Sequence, residues 1–174
     1  ERVPYVLAIF GHGNVQLSHA LAEHRDEIRT IVVKNEQNAV HMAAAYAKLT
    51  GRPLAVTTSV GPGATNLVTG AAAAFINRLP VLLLPGEVFA HGVGPVLQQL
   101  EGNVEVTAND TLRPVSRFWA RINRPEQLGR RLREAFDAML VPGEEGPATL
   151  CLPMDVQAEA ADFDLERILA PRDE

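Results

Sequence analysis

The sequence predicts an α/β domain of three layers, with helices on both faces of a mainly parallel central sheet. Two observations carry that prediction. Apolar runs such as Val81-Leu82-Leu83-Leu84 are continuous rather than alternating, which is the pattern of strands covered on both faces. Each run is followed by a segment with helical spacing, and strand–helix–strand repetition makes neighbouring strands parallel with right-handed crossovers.

The elements follow in order. Tyr5 to Phe10 reads as the first strand, and Gly11-His12-Gly13-Asn14 as the turn after it. Gln16 to His24 carries apolar residues at helical spacing, and Thr30 to Val33 is a second buried strand. Asn35 is placed to cap a helix over Glu36 to Leu49, which Gly51-Arg52-Pro53 stops. Leu54 to Thr58 is the third strand. The loop Ser59-Val60-Gly61-Pro62-Gly63 then leads into a helix from about Ala64 to Asn77. Val81 to Leu84 is a strand closed by Pro85-Gly86. Residues 90 to 119 are the least regular stretch, read as a loop and short helix before Arg117-Phe118-Trp119. Pro125 suits the first turn of a helix reaching about Met139, capped near Asn123 or Arg124. Ala148 to Leu152 completes the sheet.

Composition narrows the function classes. A chain of 174 residues fits one domain with a sizeable core. The formal net charge of −5 and the lack of a basic run argue against a nucleic-acid surface. Cys151 is the only cysteine, so neither an intrachain disulfide nor a cysteine-rich metal site is possible. Its apolar neighbours point to a buried, inert thiol. No apolar stretch approaches a membrane span and no signal peptide opens the chain, so a cytoplasmic location is the default expectation. The abrupt start at Glu1-Arg2-Val3-Pro4 and the linker-like end at Ala170-Pro171-Arg172 suggest a fragment of a longer protein.

Two features stand out chemically. Glu36 heads a helix, and the glycine loop Gly61-Pro62-Gly63-Ala64-Thr65-Asn66 follows the next strand. A carboxylate and a glycine turn at the ends of neighbouring parallel strands are where open α/β sheets bind ligands. The plainer reading of Glu36 is a first-turn acid favoured by the helix dipole. The plainer reading of the loop is a strand-to-helix turn. Gly11-His12-Gly13-Asn14-Val15-Gln16 lacks the third glycine of a dinucleotide fingerprint, and no acidic residue ends the second strand, so that reading fails. No Walker-type motif and no clustered carboxylate metal site occurs in the sequence. Two helices are rich in small residues, at Ala43-Ala44-Ala45 and Gly70-Ala71-Ala72-Ala73-Ala74. Helix propensity alone explains them, as does close helix packing, including packing across a subunit interface.

Four ordered pieces resemble the pyrimidine-binding domain of thiamine-diphosphate enzymes of the acetolactate synthase type. They are Phe10-Gly11-His12-Gly13-Asn14, Asn35-Glu36-Gln37-Asn38-Ala39 with Tyr46-Ala47, Gly61-Pro62-Gly63-Ala64-Thr65-Asn66, and Gly146-Pro147-Ala148 through Leu152-Pro153-Met154-Asp155-Val156-Gln157. The first departs from the family's Phe-Gly-x-Pro-Gly turn, and the third is identical to its glycine loop. Within the family the chain is similar to the hydrolases that open a cyclic 1,2-dione in inositol breakdown. That likeness lies in the shortened first turn, Ile76-Asn77-Arg78-Leu79-Pro80, Pro95 to Glu101, and Arg113 to Trp119.

The resemblance implies residues 1–160 as a pyrimidine-binding domain lacking its first helix, and 161–174 as the start of a linker to a central domain. It implies carbon–carbon bond cleavage with thiamine diphosphate as cofactor, of which this chain would hold half the site. Mg2+ and the diphosphate would be bound by a domain absent from the chain, contributed by a partner subunit in a homodimer or dimer of dimers. Glu36 would hydrogen-bond the aminopyrimidine and share a proton with it. Gly13, Pro62 and Asn66 would contact the cofactor, and Gln98 would reach the cofactor and substrate region. His12 and Asn14 suit a polyhydroxylated small-molecule substrate. His41 could face Glu36, although a structural histidine is the plainer reading. Glu87, His91, Arg113 and Trp119 could line the same mouth. The fragment alone is expected to be inactive. The alternatives are an acetolactate synthase-type lyase acting on 2-oxo acids and a non-catalytic dimerisation or regulatory module.

Overall fold

The computed structural model describes residues 3–91 and 106–169. Among these residues six strands form one sheet: β1 (Tyr5–Ala8), β2 (Arg29–Val32), β3 (Leu54–Thr58), β4 (Val81–Glu87), β5 (Phe118–Arg121) and β6 (Ala148–Pro153). Their order is β2-β1-β3-β4-β6-β5, and every neighbouring pair is parallel. β1 leads to β2 on one side, whereas β3 adds on the other. The loops after β1 and β3 therefore flank the point where the winding reverses, the place open α/β sheets use for ligands.

Helices cover both faces. Val6, Ala55, Leu82, Ala148 and Leu150 pack beneath α1 (Val15–Glu23) and α5 (Gln127–Met139). Leu7, Leu54, Val56, Val81 and Leu83 pack beneath α2 (Glu36–Thr50) and the helices after β3. Alternate residues of β3 thus serve opposite cores, which is why the strand is apolar throughout. Cys151 is fully buried and burial pushes its thiol well above the usual range, so it is inert as the sequence predicts. No helix among the described residues is long and apolar enough to cross a membrane.

Several boundaries fall where the sequence places them. Asn35 caps α2, its side chain accepting from the Asn38 N–H at 3.1 Å, and Gly51 ends it in the left-handed region at φ 71°. Three boundaries move. The helix expected over residues 64–77 is two helices, α3 (Pro62–Thr65) and α4 (Val68–Ile76), broken at Asn66 and Leu67 because Leu67 turns wholly into the core. β4 runs through Pro85 and Gly86 to Glu87 rather than stopping at Leu84. Its ladder to β6 joins Leu82, Leu83, Gly86 and Glu87 and skips Leu84 and Pro85, the second of which has no N–H to give. α5 begins at Gln127, and Pro125 lies in the turn before it.

The small residues of α2 and α4 pack against each other within the chain. A Cβ at Gly70 would stand 2.6 Å from Val40 Cβ, so only a glycine lets the helices approach this closely. After β6 a short helix, α6 (Leu165–Leu169), lays Ile168 over Gly129 of α5.

Candidate functional site

Glu36 is the first residue of α2, but it does not cap the helix, because Asn35 already does. Its half-buried side chain crosses to the loop after β3, where Asn66 Nδ2 donates to Oε2 at 2.6 Å. Among the described residues no donor reaches Oε1. That oxygen faces Gly63: a Cβ built there would lie 3.5 Å from Oε1 and 2.6 Å from Thr58 Oγ1. Gly63 thus sets backbone and no side chain between Thr58 and the carboxylate, and Pro62 is exposed at the crest of the loop. The arrangement offers an anionic acceptor and a backbone surface that a flat ring can approach closely.

Asn66 reaches Glu36 because of the break between α3 and α4. Its own N–H donates to Pro62 O at 3.0 Å, and the Leu67 N–H to Ala64 O at 3.1 Å. One turn of helix therefore fixes Asn66 before the chain re-enters the core. A single unbroken helix would carry that side chain elsewhere.

The turn after β1 lies against the same loop from the other side. The Gly13 N–H donates to Ser59 Oγ at 3.2 Å, and Gly13 O accepts from Gln157 Nε2 at 2.8 Å. A Cβ on Gly86 would collide with Gly13 O, so the β4 glycine makes room for this turn. Asn14 is buried, donating to Ile9 O at 3.2 Å and to Thr57 Oγ1 at 3.1 Å. Both backbone polar groups of Gly13 are thus committed to packing the turn.

The other sequence candidates scatter. His41 is exposed and pairs with Gln37 at 3.2 Å. Five residues past Glu36 it lies about 140° further round the helix, so it does not face the carboxylate. Gln98 lies outside the described residues. His91 is tied to β6 and the α5 entry, its ring 2.8 Å from Asn123 O and its N–H donating to Asp155.

Glu87, Arg113 and Trp119 do meet, in a second network at the ends of β4 and β5. Glu87 is 2% exposed and Oε2 accepts from Thr107 Oγ1, Asn109 Nδ2 and Arg121 Nε at 2.9, 3.1 and 3.1 Å. Its Oε1 accepts from the Val88 N–H at 3.0 Å. Arg121 also donates to Asp110 at 3.1 Å. Burial pushes the Asp110 carboxyl up, yet the Thr107 N–H, Arg113 and Arg121 outweigh it and hold the group below the usual carboxylate range. Arg113 lies over the Trp119 ring at 3.8 Å. The sequence reading missed Thr107, Asn109, Asp110 and Arg121. One signal was there: Thr107-Ala108-Asn109-Asp110 has capping-box spacing, and the box forms.

A carboxylate, a glycine loop and a switch-point position are the features of a ligand-binding α/β domain. Residues 1–108 match the family model described as thiamine pyrophosphate enzyme, N-terminal TPP binding domain. The chain belongs to that family. Among curated proteins it is similar to three named 3D-(3,5/4)-trihydroxycyclohexane-1,2-dione hydrolase. The one from Halalkalibacterium halodurans is 47% identical, over 95% of this chain and 27% of its own length. That from Bacillus licheniformis is 48% identical over 94% and 27%, and that from Bacillus subtilis 48% over 91% and 26%. The chain therefore spans about a quarter of the length of these relatives.

Proposed function

We propose that this chain is the cofactor-activating part of a thiamine-diphosphate-dependent hydrolase that breaks a ring carbon–carbon bond in a cyclic 1,2-dione during inositol breakdown. The relatives' shared name supports the substrate class, and the Glu36–Asn66–Gly63 arrangement supports the role. When bound, thiamine diphosphate supplies a thiazolium carbon nucleophile for carbonyl substrates and an electron sink for the bond that breaks.

The chain's own residues supply the rest. Glu36 would hold a ring nitrogen of the aminopyrimidine and share a proton with it. Gly63 would set backbone rather than a side chain against the ring, and the exposed Pro62 would bound it. Gly13 keeps the first turn locked on Ser59, so the two loops present one surface. Gln98 serves as a polar contact toward the substrate. Magnesium and the diphosphate belong to a domain outside this chain, brought up by a partner subunit in a homodimer or dimer of dimers in the cytoplasm. The isolated chain then lacks half its site and is inactive alone.

The single observation that carries this reading is the half-buried Glu36 carboxylate, which among the described residues accepts a hydrogen bond at Oε2 and none at Oε1. Glu36→Gln in the full-length enzyme is expected to lower turnover of the dione by about 10²- to 10⁴-fold, the usual span for a lost acid–base group. Unchanged turnover would overturn the assignment. Acetolactate formed from pyruvate, with no ring-opened acid from the dione, would overturn the substrate class.

A further inference from the structure

We infer that Asn66 is a positioning residue that divides the labour of the Glu36 oxygens: it holds Oε2, and Oε1 is the oxygen that exchanges the proton. The inference rests on the reading of Glu36 given above. The amide nitrogen of Asn66 can only donate, and an ionised carboxylate can only accept, so the 2.6 Å contact is a charge-assisted bond. When Glu36 is protonated, a hydrogen on Oε2 would point at the Asn66 N–H. The proton of the neutral acid therefore belongs on Oε1.

Three features keep that division fixed. Asn66 is pinned by its N–H bond to Pro62 O and by the fully buried Leu67 beside it. Glu36 is released from helix capping by Asn35. Gly63 keeps a side chain off the Oε1 side: a Cβ there would stand 3.5 Å from Oε1 and 2.6 Å from Thr58 Oγ1, and the hydroxyl leaves no room for one. Thr58 is wholly buried, and its hydroxyl has no partner among the described residues. It acts here as a wall.

The test is a double-mutant cycle on the full-length protein with Asn66→Leu, Glu36→Ala and the pair. Three quantities are read: the Tm without cofactor, the Kd for thiamine diphosphate with magnesium, and kcat. Asn66→Leu is expected to lower kcat about 10- to 100-fold, the worth of one hydrogen bond to a charged group, while Kd moves less than about threefold. Its effect on the cofactor-free Tm is expected with Glu36 present and absent with Glu36→Ala. An equal Tm loss in both backgrounds, or an unchanged kcat, overturns the inference.

The cycle also separates this failure from failure of the functional reading. If Glu36→Ala leaves turnover intact, that reading falls, whereas the Tm cycle still decides the pair. Should Asn66→Leu not fold, a crystal structure of the full-length enzyme with thiamine diphosphate decides. Oε1 on the ring and Oε2 on Asn66 is the expected result; the reverse assignment overturns the proposal.

Discussion

Two glutamates stand near the ends of parallel strands in this domain, and they have opposite fates. Glu87 is buried and saturated: both oxygens accept hydrogen bonds, and Arg121 neutralises its charge. Glu36 is half-buried and accepts one bond, on one oxygen. Burial alone would pick Glu87 as the functional acid. The unmet hydrogen-bonding capacity picks Glu36, because a group whose lone pairs are all matched inside the protein has nothing to offer a ligand. Glu87 instead ties β4 to β5 and to the 3-10 segment Ala108–Val115.

The contrast is broken most severely by removing Glu87. Glu87→Ala leaves Arg121 in a largely enclosed site with half its counter-charge and takes one acceptor each from Thr107 and Asn109, which keep Asp110 Oδ2 and Gly86 O. Breaking a buried pair this way costs about 3–5 kcal/mol, read as a lower urea midpoint for the full-length protein. Glu36→Gln keeps a neutral acceptor for Asn66 and is expected to cost about 1 kcal/mol at most while turnover falls. If the two substitutions gave equal stability losses, the division between a structural and a chemical glutamate would fail.

The sequence made the proposed role of Glu36 legible and the structural role of Glu87 obscure, for a physical reason. Glu36 is framed by local signals: Asn35 as cap, Gly51 as stop, and a glycine loop one strand later. The β3 bounds, Leu54–Thr58, also follow from local composition. Glu87 follows a Pro-Gly pair that reads as a strand end, and its partners Thr107 and Arg121 lie 20 and 34 residues away. Nothing local announces them. The Asn66 break was hidden for a related reason. Residues 71–74 are four alanines that favour a helix throughout, whereas the break falls at the weak helix formers Thr65 and Asn66 and is fixed by Leu67 entering the core, a tertiary demand that propensity does not contain. The pairing of Asn66 with Glu36 stayed invisible with it.

The next effect in size sharpens the open side of Glu36. Gly63→Ala places a methyl carbon 2.6 Å from Thr58 Oγ1 and 3.5 Å from Glu36 Oε1. Thr58 is fully enclosed and has little room to yield, so overpacking is expected to cost about 1–3 kcal/mol. Cofactor affinity is expected to fall as well, because the methyl fills the surface beside Oε1. Adding Thr58→Ala separates the two effects. Stability should return, measured by thermal unfolding, whereas thiamine diphosphate affinity, measured by calorimetric titration, should stay weak. Recovery of both would show that Gly63 matters only for packing.

The smallest effect probes the saturated network through pH. Asp110 is held below the usual aspartate range: burial raises it, but the Thr107 N–H, Arg113 and Arg121 together prevail. A group with a depressed folded value contributes stability above its unfolded value, near 3.9, and loses that contribution as pH falls through the folded value. Asp110→Asn keeps the shape and an acceptor for Thr107 but removes the charge. The variant is therefore expected to melt about 2–4 °C below the parent at pH 7, a difference of about 1 kcal/mol. That gap should hold constant down to about pH 5, narrow as pH falls below the unfolded value and close once pH lies below the folded one. A gap that does not narrow at all in acid would mean that the aspartate acts by shape rather than charge. The saturated network would then be a packing device, and its contrast with the open carboxylate of Glu36 would be one of fit rather than electrostatics.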